Sequence, residues 1–217
     1  MRSDEADHVP RGDYRAAPVT AVGVVLAGGA GSRFGMPKAL ARADDGTPWL
    51  DLACRALRDG GCAEVVVVLG ARAAEARELV PAGARPVVAA DWATGIAASL
   101  RAGLVAAAET GAGEPAPDAA VVSLVDLPGL RAAAVRRLLG TVPGPYAARH
   151  ALARAGYGGR PGHPVLVGGA HWQDLAGAVQ GDTGAGPYLR DHGAVAVDCT
   201  DLGGGDDVDR PSARGLP

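Results

Sequence analysis

The residues suited to chemistry gather in a few short segments. Gly28-Gly-Ala-Gly-Ser-Arg-Phe-Gly-Met-Pro-Lys38 directly follows an apolar run. Glycines at that density let backbone N–H groups reach phosphate oxygens with no side chain in the way. Ser32 adds a hydroxyl, and Arg33 and Lys38 add two cations. Two better-known phosphate loops do not fit. A dinucleotide fingerprint needs a third glycine where Phe34 stands. A Walker loop needs Gly-Lys followed by Ser or Thr, whereas Lys38 lies between Pro37 and Ala39. The loop therefore holds phosphate by another arrangement. Asp126 ends the apolar run Val121–Val125, ahead of Leu127-Pro128. A carboxylate at the carboxyl end of a buried parallel strand faces the ligand crevice. It suits Mg2+, which takes hard oxygen ligands, commonly a carboxylate or two plus substrate phosphates.

These segments need a frame. Ala21-Val-Gly-Val-Val-Leu-Ala27 reads as a buried strand, and Glu64–Leu69, Pro86–Ala89 and Ala119–Val125 follow it. Thr47, as cap, and Pro48 open a helix whose apolar face is Leu50, Leu52, Ala53, Ala56 and Leu57. Further helices are expected at Arg72–Leu79, Gly95–Glu109, with Thr94 as cap, and Arg131–Leu139. Strands that are apolar throughout and alternate with helices imply a parallel sheet covered on both faces. The expected fold class is therefore α/β, a single Rossmann-like three-layer domain with a mostly parallel sheet. Residues 1–18 are charged, with Pro and Gly, and read as a flexible N-terminal tail. Residues 19–217 read as one domain. Gly111–Pro117 reads as a loop. After Tyr146 the regularity weakens, and only Pro164–Val167 and Val195–Val197 stand out as strands.

Composition narrows the function classes. Hydrophobic residues make up 48% of the chain, which suits a packed core. The net charge is −3 with no basic stripe, so no nucleic-acid backbone is expected as partner. Arg131, Arg136 and Arg137 have helical spacing and read as a solvated helix face. No apolar run spans a bilayer, so no membrane is expected. Nothing resembles a signal peptide. Cys54, Cys62 and Cys199 lack metal-ligand spacing and read as reduced thiols of a cytoplasmic protein.

Leu26-Ala-Gly-Gly-Ala-Gly-Ser-Arg-Phe-Gly-Met-Pro-Lys-Ala-Leu40 closely resembles the signature of the MobA/MocA-like nucleotidyltransferases, and the resemblance extends from about Ala21 to Pro211. It implies the nucleotide-diphospho-sugar transferase type of fold. It implies that Leu26, Ala27, Gly28, Gly29, Ala30, Gly31 and Ser32 wrap a nucleoside triphosphate. Arg33 and Lys38 then neutralise the triphosphate and, with Asp126, carry catalysis. Asp91–Leu104 is similar to the segment that borders the base, which implies base contacts at Gly95 and Ser99. Asp126 matches the metal-binding aspartate of the family. Asp206-Asp-Val-Asp-Arg-Pro211 resembles the motif that supplies a second ligand; Asp209 is the better match, with Asp207 beside it. Arg210 and Ser212 depart from the family pattern. Gly162-His-Pro-Val-Leu166 and Gly181-Asp-Thr-Gly-Ala185 resemble segments of the MocA branch and imply acceptor contacts at His163 and Asp182. That branch has an aromatic residue where Val167 stands and an arginine where Gly186 stands.

The implied activity is Mg-dependent transfer of a nucleoside monophosphate to a small phosphorylated acceptor, releasing pyrophosphate. CTP is favoured over GTP, molybdopterin is the favoured acceptor, and a molybdenum-dependent oxidoreductase is the implied partner. Alternatives are a sugar or polyol phosphate acceptor, and a non-catalytic protein that binds and delivers molybdenum cofactor. An unrelated nucleotide-binding oxidoreductase is disfavoured by Phe34.

Overall fold

The strand Ala21–Ala27 (β1) is buried at every position and lies at the centre of the sheet. A computed structural model of the protein describes residues 18–110 and 116–210, so the expected tail and most of the expected 111–117 loop lie outside the described residues. After β1 come the helix Trp49–Asp59 (α1), the strand Glu64–Leu69 (β2), the short helix Ala73–Arg77 (α2) and the strand Ala84–Val88 (β3). The helix Ile96–Ala108 (α3), the strand Ala119–Leu124 (β4) and the helix Ala132–Leu139 (α4) complete the first half. The second half holds the helix Pro145–Arg149 (α5) and the strands Leu152–Tyr157 (β5) and Arg160–Gly168 (β6). It continues through the helices Trp172–Ala178 (α6) and Gly186–Asp191 (α7) to the strand Val195–Asp198 (β7).

These strands form one sheet of order β3-β2-β1-β4-β6-β5-β7. β1 pairs in parallel with β2 and β4, with Val24 opposite both Val66 and Val122. β6 alone runs against its neighbours, pairing antiparallel with β4 and β5. Successive side chains of a strand point to opposite faces. One face of β1 therefore sends Val25, with Val67 and Val121, to a core shared with Leu50, Leu57 and Leu138. The other sends Val22 and Val24, with Val66 and Val68, to a core shared with Leu100, Leu104 and Leu175. Both cores are apolar, which is why these strands read as uninterrupted hydrophobic runs. The expected α/β, three-layer, mostly parallel fold is what the chain adopts.

Several details depart from the sequence reading. Thr47 does not cap α1; Pro48 stands at the cap position without a side-chain bond, and Asp45 accepts from the Thr47 N–H instead. Thr94 does not cap α3 either, because its hydroxyl donates to the Asp91 carbonyl. The second helix is shorter than expected, since Arg72 adopts a left-handed conformation with φ 51° and cannot begin it. Pro86 fits inside β3 because β3 is an edge strand. Arg136 and Arg137 do more than face solvent: they bond the Asp59 carbonyl and the Asp201 carboxylate. β5 and helices α5, α6 and α7 escaped the sequence reading.

Cys54 and Cys62 are buried free thiols whose burial pushes their pKa up to about 12. They fill core space and are unreactive at neutral pH. Among the described residues, no helix is long and apolar enough to cross a membrane.

Leu57 on α1 is fully buried against the centre of the sheet. Leu57→Ala should lower the unfolding free energy by about 3 kcal/mol, through lost transfer energy and the residual cavity. Urea unfolding should show a lower midpoint with an unchanged slope.

Candidate active site

β1 ends at Ala27, and the glycine loop turns away from the sheet at its carboxyl end. The turn is built on Gly31, whose carbonyl accepts from the N–H groups of both Phe34 and Gly35 at 2.9 Å. Gly31 has φ 62°, and a Cβ there would lie 1.9 Å from the Met36 carbonyl oxygen. No other residue fits that position. Phe34 anchors the loop, packing against Trp49 of α1 with ring centroids 5.3 Å apart. The residue that breaks the dinucleotide fingerprint is therefore a structural peg.

The loop rims a cavity of about 600 Å3. Leu26, Ala27, Gly28, Gly29, Ala30, Gly31, Ser32, Arg33 and Lys38 all line it, together with Gly95, Ser99, Asp126 and Asp209. The structure thus gathers at one place every residue expected to hold nucleotide or metal. Ser99 is buried on α3 and crowds the loop, since a Cβ on Gly28 would meet its Oγ at 2.4 Å. Gly95 has a second reason to be glycine. Its φ is 120°, and a Cβ would lie 2.3 Å from the Gly181 carbonyl. The Gly181 carbonyl also accepts from the Ala97 N–H at 3.0 Å, taking over the role expected of a side-chain cap. This contact brings Asp182 to the wall of the large cavity, away from the pocket that holds His163.

At the floor of the cavity Lys38 Nζ donates to Asp126 Oδ2 at 2.8 Å and to Asp209 Oδ1 at 3.0 Å. Burial opposes the Lys38 charge, but the two carboxylates outweigh it and its pKa rises. The hydrogen bond from Lys38, then its charge, holds the Asp209 carboxyl below the usual range, and Arg33 adds to this. The Val208 N–H donates to the Asp126 carbonyl at 3.0 Å and so pins the late acidic segment beside β4. Asp126, Asp207 and Asp209 offer oxygens within 4.8 Å of one another. Asp126 Oδ1 is buried and has no hydrogen-bond partner. Three neighbouring carboxylates, two of them on the Lys38 ammonium, with an oxygen left over, form a donor set that fits a hard divalent cation. Asp207 was placed only beside Asp209 by the sequence. Its i, i+2 spacing from Asp209 on an extended segment was the signal that both carboxylates share a side.

A second cavity of about 330 Å3 lies next to the first and shares Leu26, Ile96 and Leu124 with it. His163, Val167 and Gly186 line it, as does Arg154 of β5, which the sequence reading passed over. Burial, followed by the Arg154 charge, pushes the His163 pKa down to about 4.

The frame is that of the Rossmann-like nucleotidyltransferases, with the glycine loop and the acidic pair where the strands of that fold place ligands. The chain belongs to the family described as MobA-like NTP transferase domain, which matches residues 23–196. It is 37% identical over 203 residues to nicotine blue oxidoreductase of Paenarthrobacter nicotinovorans, covering 86% of this chain and 91% of that protein. Rv0371c of Mycobacterium tuberculosis H37Rv superposes with a TM-score of 0.69 at 27% identity, over 88% of this chain and 94% of that one. That protein has also been solved in complex with manganese. Molybdopterin-guanine dinucleotide biosynthesis protein A of Archaeoglobus fulgidus shares the fold, with a TM-score of 0.61 at 17% identity over 88% and 93% of the two chains.

His163 is neutral when folded down to about pH 4, whereas in the unfolded chain it takes up a proton below about pH 6.5. The unfolded state thus binds more protons in that window, and stability falls as pH falls through it. His163→Asn should flatten this part of the stability–pH curve, measured by thermal unfolding between those limits.

Proposed function

We propose that this protein transfers CMP from CTP to a phosphorylated acceptor, favouring molybdopterin, and releases pyrophosphate with Mg2+ as its metal. The observation that carries this reading is Lys38 bound to Asp126 and Asp209 on the floor of a glycine-walled cavity. Catalysis of such a transfer is positioning and charge neutralisation rather than covalent chemistry. The glycine loop presents backbone N–H groups to the phosphates. Lys38 and Arg33 offset the charge that grows on the departing pyrophosphate. An acceptor phosphate oxygen attacks the α-phosphorus, a new P–O bond forms, and the bond to pyrophosphate breaks. Gly95 and Ser99 border the base, and His163, held neutral, lines the acceptor side as a hydrogen-bonding group rather than a cation. Asp126, Asp207 and Asp209 would hold the metal; when bound, Mg2+ supplies further neutralisation of the α-phosphate and acceptor.

The cytidylyl choice rests on Gly95–Leu104 and Gly162-His163-Pro164, which resemble the cytidylyl branch. The manganese complex of Rv0371c supports a divalent metal, and the name of the Archaeoglobus protein supports a molybdopterin acceptor. A cytoplasmic location, with the three thiols reduced, and hand-over to a molybdenum-dependent oxidoreductase complete this reading.

A second reading has an observation of its own. The relative at 37% identity is named an oxidoreductase. Phe34 no longer counts against a nicotinamide nucleotide in this loop, because it serves as a peg and leaves the glycine cradle open. In this reading the smaller apolar cavity holds the molecule that is reduced.

One assay separates the two. CTP and GTP are offered in Mg2+ with and without molybdopterin, and pyrophosphate is measured. NADH and NADPH oxidation are followed in parallel with an aromatic dye acceptor. The expected result is acceptor-dependent pyrophosphate release, faster with CTP. Lys38→Ala should lower that turnover by about two orders of magnitude, equivalent to roughly 3 kcal/mol of transition-state stabilisation. Nicotinamide oxidation without pyrophosphate release would overturn nucleotidyl transfer in favour of the second reading. Tight molybdopterin binding with neither reaction would indicate a carrier.

A further inference from the structure

The smaller cavity is apolar on nearly every side. Leu100 comes from α3, Val122 from β4, and Val165 and Val167 from β6. The polar side chains are His163, Thr183 and Arg154, and Arg154 is its one arginine or lysine. Arg154 also lines a third cavity of about 520 Å3, where Arg160, Arg190 and Asp198 join it; the Asp198 carboxylate accepts from Thr200 instead of pairing with Arg154. Both cavities share Gly186, Pro187 and Leu189, so the guanidinium stands at the junction between them.

Arg154 is poorly compensated there. Its Nε donates to the Gly162 carbonyl at 3.0 Å. Among the described residues its guanidinium forms no salt bridge, and burial alone acts on its charge. His163 beside it is uncharged at neutral pH. Asp207, whose charge reaches His163, does not act on Arg154, where burial is the one influence. On the opposite side stands Gly186, whose missing side chain leaves Nη1 uncovered; a Cβ there would meet Nη1 at 3.7 Å and nothing else within 4 Å. A partly buried cation without a counter-charge is costly, and folds keep one where a ligand brings the anion. The two Nη groups of a guanidinium form a fork that matches the paired oxygens of a carboxylate or phosphate.

We propose that the smaller cavity is a second-ligand site for an organic molecule with an apolar body and an oxyanion, and that Arg154 holds the oxyanion. Its volume lies at the lower end of small-molecule sites, which suits a body of one or two rings. The inference rests on assigning the larger cavity to the nucleotide. It names the chemistry of the co-substrate whether that molecule accepts a nucleotide or a hydride. Arg154 is then a specificity residue that sets which partner molecule is taken.

Calorimetry on the full chain tests it, with 2-naphthoate as the probe and 2-naphthamide as its neutral counterpart. The acid should bind at least about tenfold more tightly than the amide, the gain expected of a charge-assisted, bidentate contact. Arg154→Met should abolish that preference, and Arg154→Lys should retain part of it. Gly186→Glu provides an independent variant, because its carboxylate would neutralise Arg154 from an open position. It should abolish naphthoate binding while leaving the circular dichroism spectrum unchanged and the melting midpoint no lower. CTP affinity, measured separately on each variant, should stay within about twofold, since that ligand occupies the neighbouring cavity. Phenyl phosphate in place of naphthoate distinguishes the two oxyanions. Equal binding of acid and amide, or naphthoate binding that survives both Arg154→Met and Gly186→Glu, would overturn the proposal. Naphthoate binding without any CTP binding would instead overturn the nucleotide assignment and leave this site standing.

Discussion

One ammonium group holds three remote pieces of the chain together. Lys38 belongs to the glycine loop, Asp126 to the turn after β4, and Asp209 to the late acidic segment. The pair with Asp126 is well shielded, with 15% and 18% of the two side chains exposed. Shielding makes the contact worth more than a surface ion pair, and makes a charge left unpaired there costly. The floor of the cavity therefore depends on Lys38 staying charged, and the two carboxylates ensure that it does. The same contact explains why the acidic segment lies against β4. Without Lys38, the carboxylates at 126 and 209 would lose the cation that bridges them.

The neighbouring cavities divide the labour by polarity. The larger gathers the glycine loop, two cations and three carboxylates, and the smaller is mostly Val, Leu and Ile side chains around Arg154 and His163. Leu26, Ile96 and Leu124 belong to both and form the ridge between them. Two of those three residues sit at or next to the ends of β1 and β4, so sheet geometry fixes the distance between the two cavities. The Gly95–Gly181 contact ties the helix that borders one cavity to the loop that leads to the other.

Much of this was legible in the sequence, for physical reasons. β1, β2 and β4 are buried on both faces, so their runs of Val, Leu and Ala announce themselves. The glycine loop was legible because its turn needs Gly31 in a left-handed conformation and its cations stand close by in sequence. β5 was not, because Leu-Ala-Arg-Ala-Gly-Tyr contains no β-branched residue and owes its extended form to its neighbours. Arg154 went unnoticed with it. The two expected caps at Thr47 and Thr94 failed because tertiary contacts served those helix ends instead. Gly95 was expected to be glycine for a base, whereas the backbone of residues 181 and 182 already requires it. Such a contact is invisible before the chain is folded, since Gly181 lies 86 positions after Gly95.

The reversal of β6 has a further consequence. Because β6 runs opposite to β4, its amino-terminal half, with His163, lies at the same end of the sheet as the carboxyl ends of β1 and β4. β5 and β6 form a hairpin, so Arg154 and His163 arrive on a single continuous stretch of chain. Most of the larger cavity precedes that hairpin in the chain, while Asp182 and the acidic segment with Asp209 return to it afterwards. One hairpin therefore carries the polar side chains that line the smaller cavity from β5 and β6, and a change in its length or register would move Arg154 and His163 together.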